Sequence, residues 1–289
     1  MKLDPIIDLI EKSGYHFEEA MIFPDEAIPF WHSSIMDSKG NSISSGFGAE
    51  KFYARKIAIA EYLERRHFRE IANGPETIKK KWGIPIISTA CGFAGGFDRK
   101  NAILRSLGEA AERWVMSKWI DDGFYIQELH LHEIEKELDP VSKFIVRKFD
   151  RVLFYRHTVS FNFGNLPIKV EVGQTMGLSD EGIFPGSSAQ ILGGSVWQHA
   201  LVESFRHFLF VKNNPRRPGR FPDDKIHYFA SNASVALNRI QAAENIHWPN
   251  PELILQADES FLDGSFFLSR SIFGGWKSWN EGPIERFLY

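Results

Sequence analysis

One short pattern of charged residues occurs twice in this chain of 289 residues. The two copies read Glu61-Tyr-Leu-Glu64-Arg65 and Glu109-Ala-Ala-Glu112-Arg113, and an alanine precedes the first glutamate of each by seven positions. Because a helix brings positions i, i+3 and i+4 side by side, each copy presents two carboxylates and a guanidinium together. Two such patches facing each other would form a cluster of carboxylates that needs cations, and such oxygen ligands suit Mg²⁺ shared with substrate phosphates.

Glycines stand upstream of both copies, Gly46 and Gly48 before the first and Gly95 and Gly96 before the second. A glycine-rich turn that leads into a helix presents free N–H groups and the positive end of the helix dipole, which suit phosphate. Taken singly, each turn is better explained as a plain structural turn, and each charged pattern as a solvated helix face. The recurrence favours a shared site, and a structural repeat without a site stays open.

Composition excludes several classes of protein. Hydrophobic residues make up 43% of the chain and charged residues 25%, which is ordinary for a globular protein. The net charge of −3 argues against nucleic acid as a partner. Cys91 is the sole cysteine, so an internal disulfide is impossible and a cytoplasmic location is expected. Neither a membrane-spanning apolar run nor a signal peptide is present, since Met1–Tyr15 is amphipathic and charged.

Hydrophobic periodicity predicts an α+β fold in a single domain over residues 1–289, with internal pseudo-symmetry. Apolar residues at spacings of three and four indicate long helices over about 50–70, 99–120 and 195–211. Residues 84–90 are predicted as a strand, and alternation over 152–159 and 167–174 predicts a hairpin. Further turns are expected at the glycine run 91–96 and at Phe184-Pro185-Gly186.

Three other features carry weaker hypotheses. His199, Glu203 and His207 recur at four-residue spacing on one predicted helix and could bind zinc, although the metalloprotease pattern is absent and a supporting role near phosphate is preferred. Cys91 beside a glycine turn is better explained as a small buried side chain than as a nucleophile. The basic loop 213–220 is either solvated or a contact for an anion.

Three stretches resemble the motifs of the YcaO family, in the same order and at similar spacing from about residue 44 to 210. They are Ser45-Gly46-Phe47-Gly48 with Ala54 and Glu61–Arg65, Gly92–Gly96 with Ala102 and Glu109–Arg113, and Phe184–Gly186 with Ala200, Leu201 and Glu203. The second stretch is the most specific match.

The resemblance implies a YcaO-like, pseudo-symmetric fold with an ATP cleft between its halves. It also implies Mg²⁺ ions that bridge the ATP phosphates and are held by glutamates, here Glu61, Glu64, Glu109, Glu112 and Glu203. The remaining residues expected to contact the nucleotide are Gly46, Gly48, Arg65, Arg113 and Arg206. No residue is singled out as a catalytic acid or base.

The activity implied is ATP-dependent phosphorylation of a peptide backbone amide. The expected reaction is cyclodehydration of Cys, Ser or Thr in a ribosomally made precursor peptide, as in thiazole- and oxazole-containing bacteriocins. Thioamide or amidine formation on the same fold is one alternative, and a non-catalytic scaffold subunit is another. Expected partners are the precursor peptide, a protein that recognises its leader and in some systems a flavin dehydrogenase; a homodimer is compatible with this picture.

The sequence also departs from the family pattern. Phe47 stands where many members have lysine, and Ile57 and Arg105 stand where a serine is common. Arg206 replaces a frequent glutamine, and the chain ends Glu285-Arg-Phe-Leu-Tyr289 without a proline-rich tail. These departures leave the carboxylates intact and bear on nucleotide contacts and on the reaction.

Overall fold

The computed structural model describes residues 3–22, 29–191, 193–214, 221–241, 247–278 and 280–281. The chain divides into two compact units. The first unit comprises Met1–Pro85, Phe93–Ile103 and Ala257–Arg270, and the second comprises Ile86–Gly92, Leu104–Gln256 and Ser271–Tyr289. The single domain over residues 1–289 stays a prediction.

The α-helices are α1 (Asp4–Lys12), α2 (Lys51–Ala72), α3 (Glu76–Lys81), α4 (Arg99–Met116), α5 (Leu131–Ile134), α6 (Pro140–Val146), α7 (Trp197–Asn213), α8 (Phe221–Ser231) and α9 (Ala233–Gln241). A π-helical turn, Ser117–Asp121, continues α4, and a 3-10 turn, Glu135–Glu137, follows α5. None of the described helices is long and apolar enough to cross a membrane.

The strands are β1 (His16–Met21), β2 (Trp31–Met36), β3 (Ser42–Gly48), β4 (Phe93–Gly96), β5 (Glu128–Leu129), β6 (Arg151–Phe163), β7 (Leu166–Ser179), β8 (Gly182–Gln190), β9 (Leu253–Phe261) and β10 (Phe266–Phe273). They form sheets in the orders β1-β2-β3, β4-β10-β9 and β5-β6-β7-β8. Neighbouring strands of the first and third sheets run antiparallel, as do β4 and β10.

In the first unit, β1, β2 and β3 form an antiparallel sheet, and α2 packs across it. Buried apolar residues of α2 such as Ala58, Ile59 and Leu63 share a core with Ile35 of β2 and Ile10 of α1. Strand β3 approaches α2 so closely that a Cβ atom on Gly46 would lie 2.1 Å from the Ala54 carbonyl oxygen. Only glycine fits at this position, so the backbone of β3 lies directly on the helix.

The second unit repeats this arrangement with different residues. Strands β5 to β8 form an antiparallel sheet, and α7 packs against β7 and β8. A Cβ atom on Gly186 of β8 would lie 2.0 Å from the Ala200 carbonyl oxygen of α7. The hydroxyl groups of Thr175 and Ser204 form a buried hydrogen bond of 2.8 Å at the same contact.

The α+β fold class and the three long helices are confirmed, as is the hairpin of β6 and β7. The strand predicted over 84–90 is wrong, since 82–86 are turn residues and 87–90 have no regular structure. The predicted glycine turns are largely wrong too: Gly46 and Gly48 lie in β3, 93–96 form β4, and Phe184-Pro185-Gly186 lies in β8. Of the run 91–96, Cys91 and Gly92 do form a turn, in which Gly92 has φ of 78°.

Candidate functional site

In the first unit, α2 carries the first charged pattern at its middle. One carboxylate oxygen of Glu61 accepts a hydrogen bond from the backbone N–H of Ser45 at 2.8 Å. The other oxygen lies 2.5 Å from the Arg65 guanidinium, one helical turn further on. Glu61 therefore bridges strand β3 and the cation on its own helix, and its side chain remains 27% exposed.

Glu64 is held in a similar way by a different strand. Its carboxylate accepts a hydrogen bond from the backbone N–H of Gly95 in β4 at 2.7 Å. A Cβ atom on Gly95 would lie 3.1 Å from the Glu64 Cβ and 2.4 Å from the ring of Phe266. The glycine thus lets β4 approach the helix closely enough for this hydrogen bond.

In the second unit, the second charged pattern lies on α4. The Glu109 carboxylate accepts a hydrogen bond of 3.2 Å from the backbone N–H of Gly92. The Glu112 side chain is 11% exposed, and its carboxylate lies 3.6 Å from the Arg113 guanidinium. Two neighbouring carboxylates and one cation are therefore concentrated at the end of this helix.

Ser187 of β8 joins this group to α7. Its hydroxyl donates to the Glu112 carboxylate at 2.6 Å, and its backbone N–H donates to the Glu203 carboxylate at 2.7 Å. One serine therefore holds two acidic side chains from two helices. Ser187 is not among the residues predicted from the sequence, because the stretch just before it is predicted as a turn rather than as part of β8.

Burial and neighbouring charges shift the pKa values of these two acids in opposite directions. Burial raises the pKa of Glu112, and the Glu203 charge adds to this, while Arg113 and the Ser187 hydroxyl oppose it. Burial also acts to raise the pKa of Glu203, but His207, His199 and Arg113 outweigh it and the pKa falls. The arrangement therefore favours an ionised Glu203 beside a more readily protonated Glu112.

Arg113 is the cation at the centre of this group. Burial acts to lower its pKa, but the charge of Glu112, together with those of Glu109 and Glu203, outweighs burial and raises it. Its Nε atom is buried and has no hydrogen-bond partner among the described residues. A buried N–H without a partner is costly, so this atom is suited to an acceptor from a ligand.

The remaining predicted residues of α7 lie beside Glu203. His207 hydrogen-bonds through Nδ1 to the Pro185 carbonyl oxygen at 2.7 Å, and its pKa is lowered, chiefly by burial. His199 and Arg206 are exposed. Among the described residues no group of three His, Cys, Asp or Glu side chains is arranged to hold a metal, so the structure lends no support to the zinc alternative.

The first and third motif stretches form the same contact between a serine and a glutamate. Ser45 donates its backbone N–H to Glu61, and Ser187 donates its backbone N–H to Glu203, each across a separation of 16 residues. In both cases the neighbouring glycine, Gly46 or Gly186, touches the helix backbone. The first and third stretches therefore share this serine–glutamate contact, one in each unit. The shared spacing of serine and glutamate was a signal available in the sequence.

The types of side chain at this site suit the binding of a magnesium nucleotide. Mg²⁺ on a nucleotide needs only one or two protein carboxylates, because phosphates and water complete its coordination. Pairs of carboxylates on α2 and beside Ser187 meet that need without a larger cluster of acidic ligands. The guanidinium of Arg113 supplies the N–H donors that phosphate oxygens accept.

The glycines predicted to contact phosphate have packing roles in the structure. Gly46 is buried against α2, and a Cβ atom on Gly48 would lie 2.8 Å from the ring of Tyr53. Arg65 is engaged by Glu61 and donates to the Ile43 carbonyl oxygen at 2.5 Å. Nucleotide contacts by these residues stay a prediction. Residues 215–220 of the basic loop and the C-terminal stretch 285–289 lie outside the described residues.

Comparison with solved structures gives the class of fold. The structure of YcaO from Methanopyrus kandleri bound with AMPPCP and Mg²⁺ matches with a TM-score of 0.58 and 15% identity, over 94% of this chain and 88% of that one. A heterocyclase in complex with substrate and cofactor matches with a TM-score of 0.53 and 10% identity, over 91% of this chain and 50% of that one. No profile of a known protein family and no curated protein matches the sequence.

The fold of this chain is therefore the YcaO fold, as the resemblance implied. The match extends over nearly the whole chain, whereas this chain corresponds to only half of the heterocyclase. At this level of identity the comparison establishes the fold, and the chemistry depends on the residues described above.

Proposed function

We propose that this chain is a YcaO-type enzyme that uses ATP and Mg²⁺ to activate a peptide backbone amide. The observation that carries the proposal is the group around Ser187, in which two carboxylates and a partly buried guanidinium are held together. The similar structure from Methanopyrus kandleri is bound with AMPPCP and Mg²⁺, which supports the choice of nucleotide and metal.

Glu61, Glu64, Glu109, Glu112 and Glu203 are the proposed metal ligands, and Arg113 is proposed to contact a phosphate. Bound Mg²⁺ would neutralise charge on the phosphates and favour in-line transfer of the terminal phosphoryl group. Backbone N–H groups of Ser45, Gly92, Gly95 and Ser187 orient four of these carboxylates, so that little rearrangement is needed when the nucleotide binds.

The proposed reaction on the peptide amide has two steps. The amide oxygen of the peptide attacks the terminal phosphorus of ATP, and ADP leaves. A nearby Cys, Ser or Thr side chain then loses its proton and attacks the amide carbon. The former amide oxygen leaves with the phosphate, and loss of the amide proton gives a thiazoline or oxazoline. A partner protein that delivers the precursor peptide through its leader belongs to this proposal.

Mass spectrometry combined with phosphate release tests the reaction. The protein is incubated with ATP, Mg²⁺ and a pool of synthetic peptides that contain Cys, Ser and Thr, one set of which carries ¹⁸O in the backbone amides. The proposal predicts peptides lighter by one water molecule, with ¹⁸O recovered in the released phosphate. Products heavier by sulfur exchange would indicate thioamide formation. Release of unlabelled phosphate alone would contradict amide activation.

A further inference from the structure

A small basic cavity lies on the first unit. It encloses about 280 Å³ and is formed where the end of α1 meets β3 and the second half of α2. The cavity is lined by Ser13, Tyr15, Ile43, Tyr62, Arg65, Arg66 and Arg69. Three guanidinium groups within two turns of one helix give this cavity a concentrated positive charge.

The three arginines differ in how far their charge is already compensated. Arg65 contacts Glu61, and the Nε atom of Arg66 donates to Glu70 at 3.0 Å. Arg69 is exposed and forms no hydrogen bond or ion pair with any described side chain. The cavity therefore retains at least one guanidinium whose donors are available to a ligand.

Aromatic rings form a wall of the same cavity, beside the arginines. The rings of Tyr15 and Tyr62 meet edge to face with centroids 5.4 Å apart, and Tyr62 is buried. Burial, and then Tyr15, raise the pKa of the Tyr62 phenol, while Arg66 and Arg69 act in the opposite direction. The phenol therefore stays protonated near neutral pH and can donate a hydrogen bond beside the guanidinium groups.

We propose that this cavity binds an acidic side chain of a peptide, and so serves as a docking site for an acidic segment of the polypeptide substrate. Guanidinium groups bind carboxylates through paired, charge-assisted hydrogen bonds. The aromatic wall suits the methylene groups of glutamate and the backbone beside it. The inference rests on the proposed function only in taking a polypeptide as the substrate.

The small volume of this cavity favours a side chain over a nucleotide as its occupant. Pockets for small molecules usually enclose about 300–1,000 Å³, and this cavity lies just below that range at about 280 Å³. One or two side chains fit such a space more readily than a whole nucleotide. The contact between Arg65 and Glu61 puts the cavity one helical turn from a proposed metal ligand.

Fluorescence anisotropy with defined peptides tests the docking site. The probe is a short capped peptide of Glu and Gly that carries an uncharged dye, and its matched control has Gln in place of Glu. The wild-type protein is expected to bind the Glu peptide at least about ten-fold more tightly, with affinity falling as salt rises. Arg69→Gln is expected to weaken this binding about ten-fold. Arg69→Lys is expected to weaken it less, because lysine keeps the charge but lacks the paired N–H donors of the guanidinium group.

Arg147→Gln is the matched control, since Arg147 is an exposed arginine of the second unit at the end of α6. Equal binding of the Glu and Gln peptides, or equal losses in Arg69→Gln and Arg147→Gln, would overturn the inference. Inorganic phosphate that binds at this site when the Glu peptide does not would overturn it as well. No ATP is used, so this result is independent of nucleotide binding, and each proposal can fail alone.

Discussion

Ser187 connects Glu112 of α4 with Glu203 of α7, through its hydroxyl at 2.6 Å and its backbone N–H at 2.7 Å. Two acidic side chains held this close repel each other unless a donor or cation lies between them. Arg113 supplies part of that compensation, and the serine supplies the rest. Such an arrangement is stable without a ligand and is prepared to receive further cations.

Replacement of the serine hydroxyl tests its structural contribution. Ser187→Ala leaves the Glu112 carboxylate without its donor, so the free energy of unfolding is expected to fall by about 1–3 kcal/mol in urea titrations. Ser188→Ala is the matched control, because Ser188 is equally buried in β8 and its hydroxyl has no hydrogen bond to a described residue. Equal destabilisation by both substitutions would show that the hydroxyl of Ser187 has no special role.

Substitution of glycine by alanine is expected to change stability in opposite directions, depending on whether a strand lies directly against a helix at that glycine. Gly46→Ala and Gly186→Ala would force a methyl group to within about 2 Å of a helix carbonyl oxygen, so each is expected to destabilise the fold by about 1–3 kcal/mol. Gly108 lies within α4, where the added methyl would be 3.7 Å from Ala189. Gly108→Ala is therefore expected to raise the melting temperature slightly. A neutral or stabilising Gly46→Ala would contradict the contact.

Protonation of a histidine in β6 is expected to make the stability of the fold depend on pH. His157 stacks on Trp248 with ring centroids 3.8 Å apart, and burial lowers its pKa to about 4. The unfolded chain binds the proton more tightly, with a pKa of about 6.5. This contribution to stability is therefore complete above about pH 6.5 and is lost as pH falls towards the folded pKa of about 4.

His157→Phe keeps an aromatic ring beside Trp248 and removes the titrating group. Melting temperatures of the wild type and the variant, measured across this pH range, are expected to differ in slope, with a shallower decline for the variant. Identical pH profiles would show that protonation of His157 is not coupled to folding.

The long helices could be predicted from sequence because their apolar residues recur at spacings of three and four. The predicted glycine turns were wrong for a physical reason. A glycine that lets a strand lie against a helix, as Gly46 and Gly186 do, looks the same in sequence as a glycine that forms a turn. The apolar run at 84–90 was likewise mistaken for a strand, since composition alone cannot show whether a partner strand exists.

Four acidic residues of the candidate site were predicted from their repeated spacing and Glu203 from the family resemblance, whereas the groups that hold them were not predicted. Glu112 and Ser187 are separated by 75 residues, so no local pattern connects them. The backbone donors of Gly92 and Gly95 are equally invisible in sequence, because any residue other than proline carries an N–H group. Ser45 and Ser187 share a spacing of 16 residues to their glutamates, which is visible in the sequence, but only the hydrogen bonds show what that spacing does.

Calorimetric titration with AMPPCP in the presence of Mg²⁺ shows whether these carboxylates bind a magnesium nucleotide. We expect saturable binding by the wild type, loss of at least about ten-fold in affinity for both Glu64→Gln and Glu112→Gln, and unchanged binding for Glu76→Gln. Glu76 is a suitable control because it is an exposed glutamate of α3 paired only with Lys79 among the described residues. Absence of binding by the folded wild-type protein, or equal affinity in all three variants, would contradict the account.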